Sequence, residues 1–162
     1  MSILETEPGY VISGVSGEAS GDYIFYRLVL TSIDDQGNQL WWKTYGEDFH
    51  YYFAGFMRGC IRASDGGFVI SGSIRDSIRN VGLLIKFDEY GDSLWSRIYG
   101  DTNSLDYTST IFKVCAQLPD QGFIIAGSRY VSGDDADILL MKTDSLGNLI
   151  WEHTYGLLHV VE

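Results

Sequence analysis

Asp65-Gly66-Gly67-Phe68-Val69-Ile70-Ser71-Gly72 decides the fold: an acidic, glycine-rich turn feeds a run of aromatic and β-branched residues that a further glycine closes. A run of this kind, entered from turn residues, reads as a short strand leaving a hairpin. The same string returns as Glu7-Pro8-Gly9-Tyr10-Val11-Ile12-Ser13-Gly14 and as Asp120-Gln121-Gly122-Phe123-Ile124-Ile125-Ala126-Gly127, at offsets of 58 and 55 residues. A second set of landmarks keeps step with it. Asp34, Gly37, Leu40, Trp41, Tyr45 and Gly46 match Asp88, Gly91, Leu94, Trp95, Tyr99 and Gly100, then Asp144, Gly147, Ile150, Trp151, Tyr155 and Gly156. Landmarks held in register three times make the chain a single domain, 1–162, of three repeats at approximately 1–46, 56–100 and 111–156 with a tail at 157–162.

Each repeat reads as four short strands. In the middle copy these are Phe56 to Ser64, Phe68 to Ile74, Val81 to Asp88 and Ser93 to Tyr99, joined by Gly and Asp turns, with no sustained 3.6-residue period. In the Asp-x-x-Gly turns the Asp can bond the turn backbone and the Gly can take positive φ. The composition agrees: 45% hydrophobic, 20% charged, 19 Gly and only 2 Pro among 162 residues, which is enough chain for one buried core. An all-β protein with almost no helix is expected.

The charge balance narrows the partners. With 22 acidic against 11 basic residues, the net charge of −11 repels nucleic acid and anionic membranes. No apolar run reaches the roughly 20 residues needed to span a bilayer. The Met1-Ser2-Ile3-Leu4-Glu5 start lacks a basic n-region and an h-region, so the chain as written is expected to be cytoplasmic, or secreted or surface-borne if it is a fragment of a longer protein.

Four-stranded meanders repeated at about 50 residues resemble the blades of a β-propeller. The pattern Asp-Gly-Gly-aromatic-aliphatic-Ile, then Lys86 and Lys142 before Asp-x-x-Gly, then Leu-Trp and Tyr-Gly, resembles the propeller repeats of bacterial and archaeal surface proteins and is similar to kelch and quinoprotein repeats. The first copy departs from it with Ser32 in place of the Lys and Pro8 in place of Gly66. The resemblance implies three blades per chain, completed to six by a homodimer, because propellers have 4 to 8 blades. A β-trefoil, which closes alone, is the alternative. Alternation along each last strand puts Trp41, Lys43 and Tyr45 on one face, as it does Trp95, Arg97 and Tyr99, and Trp151, His153 and Tyr155. These aromatics are expected to pack on the next blade, with the cation laid along a ring.

Little marks catalysis. Cys60 and Cys115 each precede their hairpin glycine by 7 residues and read as two buried free thiols, with Ser2 at the matching place in the first copy. His50, His153 and His159 have no metal-ligand spacing, and Asp134-Asp135-Ala136-Asp137 reads as a solvated acidic loop. No catalytic residue, no metal and no cofactor is expected, a quinone included.

The connections between strands one and two and between three and four are tight and repetitive. Those between strands two and three (Ser16 to Asp22, Arg75 to Asn80, Arg129 to Asp137) and between blades (Glu47 to Gly55, Asp101 to Thr110) vary, and in a meander they share one end. Candidate ligand contacts on that end are His50, Tyr51, Tyr52, Arg75, Arg79, Tyr107, Arg129, Tyr130 and Asp134. The sequence therefore points to a non-enzymatic binding or scaffold module for a glycan or protein partner. The alternatives are a propeller-type glycoside hydrolase or lyase using loop carboxylates, and a structural subunit of a larger assembly.

Overall fold

The computed structural model describes residues 1–20, 23–46, 51–54, 59–75, 79–100, 108–132 and 135–156. Among them there is no helix. Thirteen strands follow in order: β1 Ser2–Glu5, β2 Gly9–Ser20, β3 Tyr23–Asp34, β4 Gln39–Tyr45, β5 Tyr51–Ala54, β6 Cys60–Arg62, β7 Phe68–Arg75, β8 Asn80–Phe87, β9 Ser93–Tyr99, β10 Ser109–Gln117, β11 Phe123–Ser132, β12 Asp135–Thr143 and β13 Leu149–Tyr155.

They form three antiparallel meanders, β1 to β4, β5/β6 to β9, and β10 to β13. In the second, β5 and β6 both pair along the same edge of β7, β5 with Gly72 to Arg75 and β6 with Phe68 to Ile70. One parallel bridge, Tyr26 to Tyr51, joins the first meander to the second at a corner. Among the described residues no pairing links the three sheets into the barrel that a trefoil needs. The arrangement is propeller-like, with each sheet lying face to face with its neighbour.

Alternation along the strands makes that stacking possible, because successive side chains serve opposite faces. In the middle sheet Phe68 and Ile70 point back into a core shared with Val11, Leu28 and Leu30 of the first sheet. Val69 and Leu84 point forward, into a core shared with Phe112, Phe123, Ile125, Leu139 and Met141 of the third. The middle sheet is buried on both faces, so β7 and β8 are buried along nearly their whole length while the outer strand β9 alternates.

The structure corrects three sequence readings. Ser16 to Asp22 and Arg129 to Asp137 are not loops for most of their length: β2 and β3 stay paired out to Ser20 and Tyr23, and β11 and β12 out to Ser132 and Asp135. The Ser- and Gly-rich ends still complete a backbone ladder, which needs no particular side chain. The Phe49 to Phe53 aromatic run is not wholly a connection either, since Tyr51–Ala54 is strand β5, supplying the partner that the upper half of β7 needs. Finally, Ser2 is not the counterpart of the cysteines. Cys60 stands opposite Ile70 and Cys115 opposite Ile125, and in the first sheet Ile3 stands opposite Ile12. The first hairpin closes with Thr6 N–H donating to Gly9, one residue tighter than Ala63 to Gly67 and Leu118 to Gly122, so counting back from the glycine overshoots by one.

Candidate functional site

The strand-three-to-four turns are built by one device. The Asp34 carboxylate accepts the backbone N–H of Gln36 and Asn38, Asp88 does the same for Tyr90 and Asp92, and Asp144 for Leu146 and Asn148. Gly37, Gly91 and Gly147 take φ values of 85°, 79° and 76°, where a Cβ is disfavoured. The Asn38 amide, and after it the backbone N–H groups, hold the Asp34 carboxyl below its ordinary range; Asn148 does the same for Asp144.

At the strand-one-to-two turns, Lys86 reaches Asp65 at 2.7 Å and Lys142 reaches Asp120 at 2.7 Å, stapling the third strand to the first hairpin. Burial raises the Asp65 carboxyl, but the Lys86 ammonium and the Gly67 N–H together outweigh it and leave it lowered. Ser32 stands in the lysine's place in the first sheet, which accounts for that departure as the loss of one staple. These turns are structural, and one of them also borders the cleft through Gly147 and Asn148.

The space between the second and third sheets carries the candidate site. A cleft of about 700 Å³ opens there, lined by Asn80, Val81, Arg97, Ile98, Tyr99 and Gly100 on one side and by Thr108, Thr110, Arg129, Gly147, Asn148, Leu149 and Glu152 on the other. Its floor is tied down where the Asn80 N–H donates to Ser109 Oγ at 3.1 Å. The Ser73 hydroxyl likewise donates to the Thr110 carbonyl at 3.4 Å. On its third-sheet wall, Arg129 binds Glu152 through two parallel bonds of 2.7 and 3.0 Å, the fork geometry that gives Arg–carboxylate pairs their strength. That bond, with the Arg129 charge adding to it, holds the Glu152 carboxyl below its ordinary range against a partial burial that raises it. Glu152 is thus a fixed anion rather than a proton donor. Arg97 lies 5.7 Å from the centroid of the Trp95 ring, a stacked cation at the cleft edge, as alternation predicts. Tyr99 closes the bottom, its hydroxyl donating to the Gly147 carbonyl at 2.6 Å. Burial pushes that phenol far above its ordinary range, so it stays a neutral donor.

The nine sequence-derived contacts are scattered with respect to this cleft. Arg129 lines it. Arg75 is exposed and pairs in register with both Asn80 and Tyr51, so it stands one strand position from the cleft rim. Arg79 is buried, with 6% exposure, and belongs to the packed interior. Tyr130 follows Arg129 on β11 and by alternation serves the face turned away from the second sheet. Tyr51 and Tyr52 have backbone positions in β5, and their side chains lie outside the description. His50, Tyr107 and Asp134 lie outside the described residues, as does most of Asp101 to Thr110. Sequence reading missed Glu152, Arg97 and Asn148. The signal for Glu152 was present: it alternates with Trp151 and Tyr155, so it faces the preceding sheet, where Arg129 also points.

Buried free thiols are found as expected. Cys60 and Cys115 are unpaired, and burial above all pushes them up to about 12 and about 11. Among the described residues no group of three or more His, Cys, Asp or Glu is placed to hold a metal ion, and no helix is long and apolar enough to cross a membrane.

Fold and cleft together define a class: an all-β repeat protein of propeller-like four-stranded sheets with a polar-rimmed cleft between two of them. No family model matches the chain, and no curated protein is detectably similar to it.

Proposed function

We propose that the protein is a non-enzymatic binding module whose cleft between the second and third sheets takes a neutral glycan or a peptide segment. The observation that carries this is the pre-set Arg129–Glu152 pair in an open cleft that also offers Asn80, Thr108, Asn148 and the stacked Arg97 over an apolar floor of Val81, Tyr99 and Leu149. Few oriented polar groups above apolar surface is the chemistry of a small-ligand site. The net charge of −11 disfavours a polyanion. A glycosidase reading needs two opposed carboxylates with separated proton affinities. Among the described lining residues Glu152 is the one carboxylate, and Arg129 keeps it charged. The binding reading is therefore favoured over the hydrolase.

Glycan-array and peptide-display binding to the purified protein tests it, repeated with Arg97→Ala for the cleft and Tyr51→Ala for β5. A ligand lost at least tenfold with Arg97→Ala supports the cleft. Binding that survives both but disappears on altering the turns around Gly67 and Gly91, with the fold intact, places the ligand at the opposite end.

A further inference from the structure

The chain makes one sheet-to-sheet grip twice. At the first junction the Tyr45 hydroxyl donates to the Gly91 carbonyl and Lys43 pairs with Asp92. The Trp41 ring fills the space where a Cβ on Gly91 would come within 2.8 Å of it. At the second junction the Tyr99 hydroxyl donates to Gly147 at 2.6 Å, and the Trp95 ring and Arg97 stem stand 2.8 and 2.9 Å from where a Gly147 Cβ would be. Both receiving glycines are buried.

Among the described residues one grip and one turn are left over. On the third sheet Trp151, His153 and Tyr155 form the same triad, stacked with ring centroids 5.3 and 6.3 Å apart, yet Tyr155 is 54% exposed where Tyr99 is 8%. On the first sheet the Asp34 to Asn38 turn has the same backbone, yet Gly37 is exposed and nothing lies within 4 Å of its Cβ position. The sheet faces repeat the message. Ile3 and Tyr10 lie on the first sheet's backward face, which in the middle sheet carries Cys60 and Phe68. Ile138 lies on the third sheet's forward face, which in the middle sheet carries Val69 and Leu84. Ile3 is 62% and Ile138 61% exposed.

We propose that these ends dock on each other between two copies of the chain, Trp151, His153 and Tyr155 of one copy seating on the Asp34 to Asn38 turn of the other. The contact is head-to-tail, which closes only if the rotation closes. A closed pair would use the exposed turn and the exposed triad of each copy once. His153 and Asn38 stand where Lys43 meets Asp92, so this junction lacks that ion pair and leans on its aromatics. The inference is independent of the ligand reading, because it uses the ends of the stack and not the cleft.

Light scattering of the intact chain should give twice the 18.1 kDa of one copy. Trp151→Ala with Tyr155→Ala should halve that mass while leaving the β circular dichroism unchanged, and Tyr90→Ala, in an exposed turn, should not. A second arm does not depend on the folding of that variant. In Asn38→Cys with His153→Cys, a short bismaleimide should give covalent dimers, and neither single variant should. Asp92 shows that the Asn38 position accepts another side chain. A monomeric parent chain, a dimer indifferent to the paired alanines, or a cross-link confined within one chain overturns the proposal. The first of those outcomes is also what a different protein supplying the covering sheet would produce.

Discussion

Replacing Tyr99 by Phe removes one oxygen from a packed junction and so isolates the value of the tyrosine-to-turn bond. The hydroxyl is 2.6 Å from the Gly147 carbonyl, the ring packs 5.5 Å from Phe112, and the residue is 8% exposed. Phe keeps the ring and its packing. What is lost is a hydrogen bond to an acceptor in a buried turn, a loss of about 1–2 kcal/mol. Tyr155→Phe deletes the equivalent hydroxyl at a half-exposed site, where water replaces the partner, and its effect on the isolated chain should stay within about 0.5 kcal/mol. Urea unfolding followed by tryptophan fluorescence separates them. With a slope of about 2 kcal/mol/M, Tyr99→Phe should lower the midpoint by about 0.5–1 M at unchanged slope. Equal shifts for the two substitutions, or none for Tyr99→Phe, would show that the repeated tyrosine bond does not hold the sheets together.

Gln121 sits at φ 66° where the second sheet uses Gly66 at 89°, so Gln121→Gly should be more stable than Gln121→Ala by about 0.5–1 kcal/mol, as both lose the same side-chain bonds and only Ala keeps the strain; thermal unfolding of the pair measures it, and Ala at or above Gly refutes it. Cys60 and Cys115, raised to about 12 and about 11 by burial, should resist a disulfide reagent at pH 8 in the folded protein and both react on unfolding; prompt labelling of either thiol in the native state contradicts their burial. Burial first, then the Asp92 and Asp88 charges, raise Tyr45 to about 12. Since the folded value lies above the unfolded value of about 10, its contribution is complete below about pH 10 and is lost as pH rises towards 12. Tyrosinate absorbance should show a late-titrating component that Tyr45→Phe with Tyr99→Phe removes.

How much of this was legible depends on which interactions repeat. The hairpin glycines, the Asp-x-x-Gly turns and the Trp, cation, Tyr alternation recur three times, and recurrence turns a weak local signal into an architecture: the packing of Trp41 and Tyr45, and of Trp95 and Tyr99, on the next sheet follows from alternation alone. What repeats badly was misread. The long ends of β2, β11 and β12 carry Ser, Gly and Asp, residues that favour turns in isolation, and a ladder of backbone bonds overrode that preference. Tyr51 and Tyr52 looked like loop aromatics because the first strand of the middle copy was placed from Phe56 on, whereas Tyr51–Ala54 already pairs along β7.

The cleft was the least legible feature because it belongs to no single repeat. Arg129 is on the third sheet's second strand and Glu152 on its fourth, 23 positions apart; alternation gives the face of each, but only the fold joins them in one ion pair in the cleft that Arg97 of the neighbouring sheet also lines. Neither residue has a counterpart of its kind elsewhere: Ile74 and Gly72 to Ser73 occupy the matching stretch of the middle sheet, and Ser96 stands where Glu152 does. A feature confined to one copy of a repeat is not needed to build the repeat, since the other copies fold without it. The Arg129–Glu152 pair is therefore set apart from the scaffold by the same comparison that defines the scaffold, and that is the physical reason for placing recognition in the cleft that holds it.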